Sequence, residues 1–357
     1  MAAAAVFLCI GFRKIPIAKR PPSTAFFYGA CQLSFLEKDL RRQPELSNGE
    51  DAMRALATER IQTIDAGMLL VAGAALLFAC KGTLIKMIYA LGASVADLMI
   101  LRLLFSMPVY LALAHRYWPA RGQLPPLAQW LGVALCGMLG YYVSSYFDMT
   151  GLQTISPGLE RMILYTYPAF VVLMSSVLLK KPFSARLCLC IAVIYLGLGL
   201  VFFADLRAQP DVPRAAIATG SLCVLISAIT FAGYAIGSEY FMRRFSSALF
   251  TSVAMLAAGV TMGAHYVLFN DPSHLLTLSA AVYGWSALTA LLFTVVPALM
   301  MSAGVRRIGS AKAGAVGMVG PVATVLIAAG VLGESVSSMQ IVGLVVVMAG
   351  VQRLHRA

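Results

Sequence analysis

The 357-residue chain is 60% hydrophobic and only 12% charged, with a mean hydropathy of +0.83. A soluble protein of this length cannot keep so much apolar surface out of water, which excludes a soluble enzyme or binding domain and leaves a membrane protein. The formal net charge of +12 raises a nucleic-acid reading, but no basic patch interleaved with aromatics accompanies it.

The N-terminal stretch differs from the rest. It carries nine basic residues, including Arg13-Lys14, Lys19-Arg20 and Arg41-Arg42, followed by Asn48-Gly49-Glu50-Asp51. The apolar start at residues 2–12 is too short to span a bilayer and has no basic residue ahead of it, so it does not read as a signal peptide. Residues 1–65 are expected to be a cytoplasmic, disordered tail, with Met53 as an alternative start.

Beyond residue 66 the chain resolves into ten apolar stretches at about 67–89, 95–114, 127–147, 158–179, 185–203, 218–242, 249–269, 283–305, 313–332 and 339–354. Each is expected to cross a hydrocarbon core of about 30 Å as a helix. Inside lipid each backbone N–H must be satisfied within its own segment, so helices are expected, not strands. The fold class is therefore an all-α membrane protein with ten transmembrane helices. Taken alternately from a cytoplasmic N-terminus, one set of loops holds 12 basic residues even without the tail, from Arg116 to Arg356, and the other only Arg207 and Arg214. The positive-inside rule then places both termini in the cytoplasm. The basic balance is a topology signal, and no nucleic-acid partner is expected.

One constant offset aligns the chain with itself. Gly67 falls on Gly220, Phe78 on Phe231, Pro168 on Pro321, Leu179 on Leu332 and Gly197 on Gly350. Five spans per half is an odd number, so the second half must enter the membrane from the opposite side. The expected arrangement is two inverted five-helix repeats, residues 66–204 and 216–354, about an axis in the membrane plane.

Ten spans in two halves, with a proline at the matched position ahead of the polar exit of each fourth helix, resemble the drug/metabolite transporter superfamily, EamA-like branch. In the second half that exit is Leu332-Gly333-Glu334-Ser335-Val336-Ser337, and in the first it is Leu179-Lys180-Lys181-Pro182-Phe183-Ser184. Lys181 stands where the family usually carries a glutamate. The resemblance covers about residues 66–354. It implies a central cavity built by spans 1–4 and 6–9, with spans 5 and 10 peripheral.

Ionisable groups inside spans are costly and therefore informative. Lys81 and Arg102 each lie about seven residues from the outer ends of spans 1 and 2, roughly 10 Å deep. Either they line a cavity and meet a carboxylate or phosphate, or they snorkel or pair with Asp97, Asp148 or Glu160. Tyr141, Ser144, Ser145 and Asp148 recur at helical spacing on one face of span 3, as Arg161 and Tyr165 do on span 4. Glu160 reads either as a proton-coupling carboxylate or as a first-turn acid favoured by the helix dipole. Tyr234 is the repeat counterpart of Lys81. These eight residues, Lys81, Arg102, Tyr141, Ser144, Glu160, Arg161, Tyr165 and Tyr234, are the candidate substrate-binding set. For the small residues and tyrosines of spans 3 and 4, packing hydrogen bonds between helices are an equal alternative. Pro168 and Pro321 are expected to act as hinges or cavity-shaping breaks. Glu239 is expected to pair with Arg243 or Arg244, and His265 to sit near an interface.

The seven cysteines have no paired spacing, so no disulfide and no metal site is expected. There is no Walker A motif and no nucleophile–base pair, which predicts a non-enzymatic protein without cofactors. The expected function is secondary transport, in the cytoplasmic (inner) membrane, of a small polar, amino-acid-like metabolite by alternating access, in the export direction. A non-transporting sensor or scaffold of the same fold is the alternative. Expected partners are a small-molecule substrate and membrane lipids, with the Gly233/Gly237 and Gly259/Gly263 steps permitting a homodimer.

Overall fold

The computed structural model describes residues 49–119, 125–179, 185–242, 244–308, 313, 316–333 and 336–354, with side chains from residue 66 onward except at some helical positions. Most of the expected tail lies outside the described residues, as do Lys181, Glu334 and the side chain of Glu239. Two compact units divide at residue 63, Met1–Thr63 and Ile64–Ala357. All the spans belong to the second.

Every described element is helical: α1 (Gly49–Ala90), α2 (Val95–Arg116), α3 (Leu127–Gly137), α4 (Ser144–Leu152), α5 (Pro157–Leu164), α6 (Tyr167–Leu179) and α7 (Ala185–Ala208) make the first half. The second is α8 (Arg214–Phe241), α9 (Ser247–Phe269), the short α10 (Ser273–Thr277), α11 (Ala280–Ala290), α12 (Val296–Ile308), α13 (Val319–Leu332) and α14 (Ser338–Leu354). Seven segments are long and apolar enough to cross a membrane as continuous helices: 66–90, 95–116, 127–152, 188–208, 214–238, 247–269 and 280–301.

The expectation of ten full-length helices is thus met only in part, and at spans 4 and 9 the shortfall coincides with a proline. Expected span 4 is two helices, because Pro168 has no N–H to donate and its ring collides with the carbonyl of residue 164. The chain leaves α5 at Tyr165, Thr166 turns back to bond the Ile163 carbonyl through its hydroxyl at 2.6 Å, and Pro168 sits in the first turn of α6. Pro321 likewise lies in the first turn of α13, where a missing N–H costs nothing. At 14 residues, α13 reaches only about 21 Å. The matched prolines therefore start helices instead of kinking them.

A second matched feature was not foreseen. Met138–Val143 and Leu291–Val295 are π-helical turns joining α3 to α4 and α11 to α12. Their first residues, Met138 and Leu291, are repeat counterparts, in the register that sets Gly67 on Gly220.

Close crossings tie the halves together in equivalent pairs. A Cβ on Gly304 would lie 3.1 Å from the Gly67 carbonyl oxygen, and a Cβ on Gly151 would lie 2.5 Å from that of Gly220. Gly67 and Gly220 are repeat counterparts, and so are Gly151 and Gly304. The contact of α1 with α12 is therefore the mate of the contact of α8 with α4. The same exchange holds for α7 and α14, the most extensive helix pair. Gly197 abuts Val347 while Gly350 abuts Ile194, and these are again counterparts. Such reciprocal contacts are what a pseudo-two-fold axis between two repeats produces.

Candidate functional site

The first-half charges converge. Lys81 on α1 pairs through Nζ with Asp148 Oδ2 on α4 at 3.5 Å. Arg161 on α5 donates from Nη2 to the Phe78 carbonyl on α1 at 2.8 Å, and its Nε lies 3.9 Å from Glu160 Oε2. The Asp148 and Glu160 carboxyls are direct neighbours. Lys81 is within electrostatic reach of Arg102 and Arg161 as well as of both acids. Arg102 on α2, only 4% exposed, faces Asp148, Tyr110 and Tyr89 electrostatically. Three cations and two acids from four helices thus share one buried region.

Local sequence explains their placement. Ser156 caps α5, accepting from the Leu159 N–H at 3.1 Å. Pro157 occupies the first helical position, so Glu160 and Arg161 fall in the first two turns. Gly82 lets α5 approach: a Cβ there would meet Pro157 Cβ at 3.2 Å and Glu160 Oε2 at 3.5 Å. Asp97, one of the partners considered for Lys81 and Arg102, goes elsewhere. It forms a capping box with Ser94 and accepts from the Tyr266 hydroxyl at 2.5 Å.

The tyrosines and serines of span 3 meet the second half. Tyr141, in the first π turn, shares a hydrogen bond with Tyr234 at 2.7 Å between hydroxyls, with ring centroids 4.9 Å apart. Ser144 and Ser227 hydroxyls are 2.9 Å apart. Tyr234 therefore does not stand beside Lys81, its repeat counterpart. It holds α8 against span 3. Ser145 on span 3 is half-buried. His265 packs among Tyr142, Tyr146 and Phe269 and is hydrogen-bonded to the Tyr142 hydroxyl.

The helix breaks meet at the axis. Tyr165, last residue before the break in span 4, donates its hydroxyl to the Gly317 carbonyl at 2.8 Å, just before α13. Tyr165 and Met318 are repeat counterparts, so this contact joins equivalent points of the two halves and must lie near the pseudo-two-fold axis. A Cβ on Gly320 would be 2.8 Å from the Tyr165 hydroxyl, so that glycine makes room for it. Pro168 and Pro321 are buried behind the same junction.

Charge and periodicity did not single out Tyr110 or Ser227. Tyr110 is 1% exposed, lies two turns after Arg102 on α2, and its hydroxyl has no hydrogen-bond partner among the described residues. That spacing from an intramembrane arginine was the available signal. Separately, an apolar cavity of about 370 Å³ lies between α5, α7 and α8, lined by Leu159, Ile163, Tyr195, Phe202 and Leu225 among others. It contains none of the candidate residues.

The sequence model of the EamA-like transporter family matches residues 65–203 and 218–352, two segments that start at equivalent positions of the repeat. The chain is 27% identical over 296 residues to the uncharacterized transporter YcbK of Bacillus subtilis, covering 82% of this chain and 93% of that one. It is 23% identical to the uncharacterized transporter sll1319 of Synechocystis, covering 81% of this chain and 93% of that protein. Among solved structures, one protein superimposes with a TM-score of 0.57 over 80% of this chain and 94% of the other, at 16% identity, a likeness of fold alone. With its doubled family match and its reciprocal helix contacts, the chain belongs to the EamA-like transporter family and is a multi-pass membrane transporter.

Proposed function

We propose that the protein is a secondary transporter that carries a small polar, amino-acid-like metabolite out of the cell by alternating access. The observation that carries this reading is the convergence of Lys81, Arg102, Asp148, Glu160 and Arg161 from four helices in the bilayer-crossing part of the chain. Each such charge is expensive in lipid and is retained where it meets a solute, an ion or water. Lys81, Arg102, Glu160 and Arg161 form the charged wall of the site. Tyr141, Ser144 and Tyr234 form the wall toward the second half, and Tyr165 joins the two breaks. Rocking of one repeat against the other opens the site to each side in turn, with Pro168 and Pro321 marking the breaks at which the helices pivot. The loop charges favour a cytoplasmic-membrane protein with both termini inside.

The test is a solute panel in proteoliposomes, with amino acids loaded inside and flux read without ATP, for wild type, Lys81→Ala and Arg102→Ala. Saturable flux lost in both variants is expected. No flux of any solute under any gradient would favour the sensor or scaffold. Flux unchanged in both variants would remove the charged cluster from the site.

A further inference from the structure

The five buried ionisable groups are not equally satisfied. Lys81 has Asp148, and Arg161 has the Phe78 carbonyl and Glu160. Arg102 has no hydrogen bond or ion pair among the described residues, and its Nε is wholly buried without a partner. The Tyr110 hydroxyl, within its electrostatic reach on the same helix, is likewise buried and unpartnered. A buried guanidinium N–H without an acceptor is costly, so a structure that keeps one supplies it with an acceptor in some state.

Charge balance says what that acceptor is. Lys81, Arg102 and Arg161 face Asp148 and Glu160, so with both acids ionised one positive charge is in excess. A proton on either acid widens the excess. With both acids ionised, one monoanion neutralises the cluster, whereas a dianion overshoots it. A carboxylate also matches the planar donor fork of a guanidinium in two parallel hydrogen bonds.

We infer that Arg102 is the anchor for a monocarboxylate group of the carried solute, with the Tyr110 hydroxyl as a second donor in the same buried region. This rests on the transport reading and narrows it. The solute bears a free carboxylate.

The test uses the full chain in nanodiscs, titrated at constant ionic strength with propionate, with its neutral isostere propionamide, and with inorganic phosphate, following the unfolding temperature. Propionate is expected to raise that temperature saturably and propionamide to leave it unchanged. Arg102→Gln should bind propionate at least about tenfold more weakly, the loss of one charge-assisted hydrogen bond, with Arg102→Lys retaining part of the response and Tyr110→Phe a larger part. Equal effects of propionate and propionamide on wild type would overturn the anchor, even if no variant folds. So would a wild-type response in Arg102→Gln. Stronger protection by phosphate would overturn the carboxylate assignment. Propionate binding without flux of any solute would sink the transport reading and leave the anchor. Flux of solutes lacking a carboxylate, with no response to propionate, would do the reverse.

Discussion

Replacing Lys81 by methionine removes the cation paired with Asp148 and keeps the length of the side chain. The two charged atoms are 3.5 Å apart, with side-chain exposures of 17% and 6%. At an effective dielectric constant near 20 their attraction is about 5 kcal/mol. Breaking a buried pair from one side typically costs about 3–5 kcal/mol, because the abandoned charge stays buried. Asp148 Oδ1 already lacks a hydrogen-bond partner, so the stranded carboxylate keeps only the fields of Arg102 and Arg161, with the Glu160 carboxyl beside it. That residual attraction places the expected loss for Lys81→Met near the lower end, about 3 kcal/mol. Adding Asp148→Asn removes the stranded charge, and the double variant should recover at least about 2 kcal/mol of what the single variants lose together. Reversible unfolding in mixed micelles with increasing sodium dodecyl sulfate measures all four corners of the cycle. Losses that simply add, to within about 0.5 kcal/mol, would refute the pairing.

Other consequences follow from the packing. Gly151→Leu drives a side chain into the Gly220 backbone, 2.5 Å from a Cβ, and should cost about 1–3 kcal/mol or more. Its repeat mate Gly304→Leu should do the same, and a neutral result at either position in the same unfolding assay would contradict the reciprocal crossings. Tyr165→Phe removes the 2.8 Å bond to the Gly317 carbonyl; a loss of about 1 kcal/mol is expected, and unchanged stability would show that this junction is not held by it. Ser94→Ala deletes both the bond to the Asp97 N–H and the hydroxyl's bond to its carboxylate, with an expected cost of about 1 kcal/mol. Retained hydrogen-exchange protection at the start of α2 would argue against that cap.

Much of the architecture is legible in residue order because bilayers impose a coarse rule. Apolar runs mark the spans, Pro168 marks the break in span 4, and the register of the repeat pairs Gly67 with Gly220 before any contact is known. The capping box of Ser94 and Asp97 is also local, within one helical turn, and withdraws Asp97 from the list of partners for Lys81 and Arg102. What was not legible depends on the other half of the chain. The π turns at Met138–Val143 and Leu291–Val295 arise from helix packing and carry no composition of their own. Tyr234 was readable as the counterpart of Lys81, yet it bonds Tyr141, since a repeat alignment states equivalence and not proximity. Tyr110 carries no charge, so only its burial and empty hydroxyl bring it forward.

In the proposed transport cycle the two halves alternate about an axis passing near Tyr165. Its most direct test places Tyr165→Cys in a chain whose seven native cysteines are replaced, in oriented membranes, and measures labelling by a membrane-impermeant thiol reagent applied from each side. Alternating access predicts labelling from both sides, never from both at once in a single locked state, with a transported solute shifting the balance between them. Labelling from one side alone under every condition would contradict it.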